Sequence, residues 1–287
     1  MLGIPNPKAK RPQSGAAYAG ATIQQPEATA MSTPQPPTML NKVPEVVLTF
    51  WVIKIMATTV GETAADFLNT GLNLGLNGTS LVMGAGLAAA LAVQVRSRAY
   101  EPWMYWVVVV LMSIVGTLIT DNLTDKLGIS LFVTTAVFSV ALGATFVTWY
   151  ASEQTLSVHT IITRKRELAY WVAILLAFAL GTAAGDLMAE KLNLGYGPSL
   201  LIFGASIAAT YAAYRMLAMN AVLAFWIAYI LTRPLGAAFG DLLSQSVDAG
   251  GLGLGTVLTS VIFLAAIAGL VVAHTMHRRR IAAQPAV

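Results

Sequence analysis

The chain reads as an all-α polytopic membrane protein of eight transmembrane helices, and three observations carry that reading. Hydrophobic residues make up 56% of the sequence and charged residues only 10%, too little polar surface for a soluble domain. Apolar segments long enough to cross a bilayer recur near 46–67, 79–95, 103–122, 130–150, 168–188, 199–217, 221–243 and 254–273. The third observation is an internal repeat. Trp51, Trp106, Trp171 and Trp226 each precede a glycine by ten residues (Gly61, Gly116, Gly181, Gly236) and an aspartate by fifteen (Asp66, Asp121, Asp186, Asp241).

Residues 1–41 are rich in Pro, Gln, Ala and Thr and have no apolar core of the kind a signal peptide needs, so a disordered cytoplasmic arm is expected there. Repeats one and two fill a first membrane half over 42–155, and repeats three and four a second over 168–276. A basic cytoplasmic loop at 156–167 joins the halves, and a basic cytoplasmic tail follows at 277–287. The interval from Trp51 to Trp171 equals that from Trp106 to Trp226, which marks a duplicated four-helix half. After each aspartate comes a short Gly-containing turn and then a span rich in small residues, so each repeat is expected to be a helical hairpin. A hairpin returns the chain to its starting side. All four repeats therefore share one orientation, about an axis along the membrane normal.

Orientation follows from Lys and Arg. Lys8, Lys10, Arg11, Lys42, Arg96, Arg98, Arg164, Lys165, Arg166, Arg215, Arg278, Arg279 and Arg280 fall on one side, and only Lys126 and Lys191 on the other. The positive-inside rule then places both termini in the cytoplasm of a bacterial inner membrane. The basic balance is explained by topology, and no nucleic-acid partner is expected. With no cysteine, thiolate metal sites and disulfides are excluded. No phosphate-binding loop, zinc-protease motif or serine-hydrolase elbow occurs, so neither an enzyme nor a cofactor is expected.

The candidate site is built on the repeated acids. Asp66, Asp121, Asp186 and Asp241 lie in "GETAADFL", "GTLITDNL", "GTAAGDLM" and "GAAFGDLL". A carboxylate at a helix C-terminus opposes the macrodipole by about 0.3–1 kcal/mol, so four such choices require a reason. Under one reading they converge on the axis as ion or proton ligands; under the other each caps its own following turn. Repeat one adds Lys54, Thr58 and Glu62 at intervals of four before Asp66, a polar stripe that cannot face lipid. Arg233 occupies the position equivalent to Thr58 and precedes the helix-kinking Pro234. Ion pairs of Lys54 with Glu62 and of Arg233 with one of the acids are expected. Thr117, Asn122 and Asn69 are secondary candidates, as oxygen ligands or as turn residues.

The stretches "KVPEVVLTFWVIKIMATTVGETAADFLN" (42–69) and "FWIAYILTRPLGAAFGDLL" (225–243), with the four copies, resemble a bacterial family of integral membrane proteins built from a repeat of unknown function and described only as membrane-anchored proteins. That resemblance implies fold and topology, not activity. The Gly-Asp pairs at 185–186 and 240–241 are also similar to those of small cation/proton exchangers, whose full Glu-x-Gly-Asp pattern this sequence lacks. Oxygen ligands without membrane histidine favour hard cations and protons. The expected function is a proton-coupled exporter of a hard divalent cation such as manganese, with Asp66, Asp121, Asp186, Asp241 and Glu62 as its metal ligands or proton acceptors and the lipid bilayer as its surroundings. The alternatives are a membrane scaffold or sensor, and a carrier of a small organic anion held by Lys54 and Arg233.

Overall fold

A computed structural model describes residues 41–282, with side chains to residue 276. The arm expected over 1–41 thus lies almost wholly outside the described residues; of the tail expected over 277–287, residues 277–282 continue α8 and the rest lie outside the described residues. The described chain is all-α: α1 (Leu48–Asp66), α2 (Gly75–Arg96), α3 (Pro102–Asp121), α4 (Leu131–Glu153), α5 (Arg164–Asp186), α6 (Tyr196–Met216), α7 (Ala221–Ser244) and α8 (Thr256–Ala282). Six of these, all but α1 and α6, are long and apolar enough to cross a membrane, which makes the chain a multi-pass membrane protein. In α1 the reason is plain: Lys54, Glu62 and Asp66 interrupt its apolar run.

Local chemistry sets the helix ends. Ser130, Thr163 and Asn220 cap α4, α5 and α7 by accepting from Val133, Arg166 and Val222 N–H groups, and Pro102 begins α3. Asn73 and Asn193 adopt left-handed backbone with φ of 55° and 58°, so these two asparagines make turns. The first three aspartates end their α-helices but not the helical run. Each is followed by five residues of π-helix, Phe67–Gly71, Asn122–Lys126 and Leu187–Lys191, whereas α7 runs three residues past Asp241 as α-helix.

The odd-numbered helices form a closed inner ring, α1 against α3, α3 against α5, α5 against α7 and α7 against α1. Each outer helix packs chiefly on the first helix of the following repeat: α2 on α3, α4 on α5, α6 on α7, and α8 back on α1. The expected hairpins are therefore splayed, and the two duplicated halves are not separated by any packing boundary. The order of packing is that of a pseudo-fourfold ring.

The repeated glycines explain the closure. A Cβ on Gly61 would meet Ser113, on Gly116 Phe178, on Gly181 Arg233, and on Gly236 Thr58. These four partners hold one equivalent position, seven residues after each tryptophan. Every inner helix thus presses that residue into the glycine of the neighbour, around the whole ring.

At the end opposite the aspartates, aromatic residues close the ring. Phe50, Trp106, Tyr105, Tyr170, Trp171 and Tyr229 are buried, and the Tyr105 and Tyr170 hydroxyls are 2.6 Å apart. Trp106, Trp171 and Trp226 are each only 4% exposed, so they pack between helices instead of anchoring at a lipid interface. Lys42, counted above among the loop cations, is also buried: its Nζ donates to Glu167 Oε2 at 2.7 Å and to the Gln94 and Val95 carbonyls at 3.1 Å, tying the segment before α1 to α2 and α5.

The glycine ring predicts a sharp contrast. Gly116→Ala places a methyl 2.7 Å from Phe178 Cβ and 3.2 Å from Ala179 N, and should lower stability by about 1–3 kcal/mol, the usual cost of overpacking. Gly84→Ala in α2 meets nothing within 4 Å and should be neutral or mildly stabilising. Thermal unfolding of the detergent-solubilised variants measures both.

Candidate functional site

Residues four apart on one helix form a slowly winding stripe, and on the four inner helices that stripe faces the axis. Stacked layers of four result. Next to the aromatic closure lie Lys54, Val109, Ile174 and Tyr229, all buried; then Thr58, Ser113, Phe178 and Arg233, each fully inaccessible. Above them come Glu62 (7% exposed), Thr117, Thr182 and Ala237, and the outermost layer is Asp66, Asp121, Asp186 and Asp241. From Lys54 to the aspartate layer is twelve residues, about 18 Å of helical rise.

The fully buried guanidinium of Arg233 occupies the third of these layers. Its Nη2 donates to Glu62 Oε2 at 2.8 Å and to Thr182 Oγ1 at 2.7 Å, and also contacts Thr117 Oγ1. Thr117 and Thr182 in turn donate to the carbonyls of Ser113 and Phe178, both at 3.2 Å, which leaves their lone pairs for the cation. Arg233 Nε and Nη1 have no hydrogen-bond partner among the described residues.

Lys54 does not pair with Glu62 as expected. Its Nζ donates to Thr232 Oγ1 at 2.9 Å, with the Tyr229 carbonyl at 3.5 Å, and lies 4.3 Å and 4.6 Å from the Tyr229 and Phe178 ring centres. Cation–π contact thus takes the place of a carboxylate. No described carboxylate is within ion-pair distance. The expected pairing of Arg233 with an acid is present, and the acid is Glu62.

Asp66, Asp121 and Asp186 are partly exposed, and Asp241 is 8% exposed. None of the four carboxylates accepts from a backbone N–H among the described residues; the one hydrogen bond they receive is from Gln245 Nε2 to Asp66 Oδ2 at 3.3 Å. Capping of their own turns is therefore absent. All four lie within electrostatic reach of Glu62, with Asp125 and Glu190 from the following π turns adding charge at the mouth. No three His, Asp or Glu side chains among the described residues are grouped to hold one metal ion.

Of the secondary candidates, Thr58 donates to backbone carbonyls, including that of Thr232 at 3.2 Å, and Thr117 belongs to the Arg233 cup. Asn122 turns its amide to Ser80 Oγ at 2.9 Å and the Leu118 carbonyl at 2.6 Å, while Asn69 is half-buried without a hydrogen-bonded partner among the described residues. Sequence reasoning missed Thr182 and Thr232. Thr182 was legible in the column eleven residues after each tryptophan, which reads Glu62, Thr117, Thr182, Ala237. A lateral cavity of about 680 Å³, lined by Trp51, Ile55, Tyr211 and Phe225, ends on Thr232, the acceptor for Lys54.

The two buried cations predict opposite mutational behaviour. Arg233→Met strands Glu62 and should cost about 3–5 kcal/mol. Lys54→Met removes a buried cation that has no carboxylate partner and should leave the unfolding temperature unchanged or raised. Thermal melts of the two variants in one detergent check the pair.

No curated protein and no solved structure matches the chain. The Repeat of Unknown Function (DUF347) matches residues 49–100, 104–155, 169–219 and 224–280, each copy opening two residues before its tryptophan. Since these four copies span most of the sequence, the chain belongs to the family built from the DUF347 repeat.

Proposed function

We propose that the protein is a secondary carrier of the bacterial inner membrane that moves a cation along the axis of the inner ring in exchange for protons. In this reading all eight helices cross the bilayer, both termini are cytoplasmic, and the aspartate layer opens outward. One observation carries the reading: a carboxylate, Glu62, is held on the axis by a fully buried arginine, beneath four further acids that reach it electrostatically. Ionisable residues within membrane spans are costly and mark ion or proton paths. Carboxylates also bind cations and protons competitively, which is the chemical requirement of exchange.

Asp66, Asp121, Asp186 and Asp241 would attract the cation at the mouth, and Glu62 would be the inner acceptor. A hard divalent ion such as manganese would meet these oxygens one or two at a time, because no ready cluster of three exists among the described residues. Lys54 and the aromatic layer would close the far end until the ring rearranges. A second reading, carriage of a small anion, is favoured by Lys54, which lacks a carboxylate partner, and by the unpartnered Arg233 Nε and Nη1.

Flux in proteoliposomes under an imposed pH gradient, with a panel of metal cations and organic anions, separates these readings. A cation carrier loses about tenfold or more, equivalent to roughly 1.4 kcal/mol, in Glu62→Gln and Asp121→Asn. An anion carrier loses flux in Lys54→Met and Arg233→Met and keeps it in the aspartate variants. Absence of flux for every species in the wild type would reject both and favour a scaffold.

A further inference from the structure

The contacts of Arg233 do not match the shape of a guanidinium. A terminal guanidinium nitrogen has two hydrogens in a plane, yet Nη2 faces three oxygens, Glu62 Oε2, Thr117 Oγ1 and Thr182 Oγ1. The other two nitrogens, equally buried, have no hydrogen-bond acceptor among the described residues. One nitrogen is over-supplied and two are starved. A buried charge normally keeps its place by satisfying every donor.

The oxygens themselves form a well-made cup. Each hydroxyl has a backbone carbonyl four residues back as its nearest acceptor, Ser113 and Phe178 at 3.2 Å, with Glu62 Oε2 at 3.5 Å as a second for Thr117, and donation to those carbonyls directs lone pairs at the centre. The third ligand brings a single negative charge. Three converging oxygens with one charge suit a compact monocation: an ammonium with three or four tetrahedral N–H donors, or an alkali ion. On the fourth side, where the layer continues into repeat four, Ala237 contributes no polar group, and the Arg233 side chain enters the cup from one layer below.

We propose that Glu62, Thr117 and Thr182 form a binding cup for a compact monovalent cation, and that the Arg233 guanidinium is its tethered occupant, displaced when a free cation enters. This rests on the cation-carrier reading above and, in place of the divalent ion considered there, assigns its inner site to a monovalent one. It also assigns Arg233 a role as a plug that keeps the axis closed when no cation is present.

Arg233→Ala should empty the cup, and the test is thermal unfolding of this variant in detergent with ammonium, sodium or tetramethylammonium chloride at matched ionic strength. Ammonium or sodium should raise the unfolding temperature saturably, by about 3–6 °C at ten times its dissociation constant. Tetramethylammonium, which has no N–H and is too large, should give no saturable shift. Whichever of ammonium and sodium gives the larger shift identifies the form of the monocation. Wild type, with the plug in place, should respond at least about tenfold more weakly, and Arg233→Ala/Glu62→Gln should not respond.

If Arg233→Ala is recovered folded only in the presence of ammonium or sodium, the proposal also stands; aggregation in all three salts overturns it. Equal shifts from all three salts, or an undiminished shift in the double variant, overturn it as well. Binding is read here without transport. Proton-coupled flux that persists after a failed rescue therefore removes the cup and leaves the carrier reading intact.

Discussion

The close approach of the four inner helices at their repeated glycines is the constraint on which the rest of the structure depends. Once each helix lodges one side chain in the glycine of the next, the ring is closed and the axis has room for a single side chain per helix at each level. Any polar residue in the stripe that faces the axis is then held away from lipid. Small residues achieve this in membranes because packing and hydrogen bonding, not the hydrophobic effect, drive helix association there. The outer helices follow from the same closure. Each packs on one inner helix and leaves residues such as Leu81, Val140 and Leu201 at least 73% exposed, the surface expected toward lipid.

Within that frame the four copies are equivalent in backbone and unequal in chemistry. Four charges of one sign at a buried level would repel strongly, by about 3 kcal/mol per pair at 6 Å with an effective dielectric constant near 20. The inner layers avoid this by carrying one basic or acidic residue each: Lys54 with Val109, Ile174 and Tyr229; Arg233 with Thr58, Ser113 and Phe178; Glu62 with Thr117, Thr182 and Ala237. Only the outermost layer repeats the same acid four times, and that is the layer with partial access to water. Symmetry is thus retained where solvent can screen the charges and broken where it cannot.

Much of this was legible in the sequence, and the parts that were not have a physical reason. The ungapped interval from tryptophan to glycine to aspartate marked the four repeats, and it is ungapped because close packing tolerates no slip; that the glycines are the points of contact was not read from it. The stripe through Lys54, Thr58, Glu62 and Asp66 showed which face of α1 is interior, since lipid excludes it. Pairing across the ring was not legible. Lys54 and Glu62 are two turns apart on one helix, while Glu62 and Arg233 meet only because α7 lies beside α1, a neighbour relation that no local pattern encodes. The splaying of the hairpins was hidden for the same reason: a short turn fixes the direction of the next helix, not the helix against which it packs. The place of the tryptophans was open for a different reason, since indole suits both a membrane interface and a helix interface.

Electrostatics along the axis also decides which way the Arg233 guanidinium leaves its cup. Toward the aromatic end lies Lys54, one cation already held over two rings and without a carboxylate to offset a second. Two cations brought within a layer's spacing of about 6 Å repel by roughly 3 kcal/mol. Toward the mouth lie four aspartates, and Asp121 and Asp241 already interact electrostatically with Arg233. On the proposal above, a displaced guanidinium would therefore be driven outward, toward the four aspartates. Protonating those acids would weaken that pull and favour the return of the arginine to Glu62. One side chain drawn between the two sets of acids in this way would link the charge state of the mouth to the occupancy of the cup.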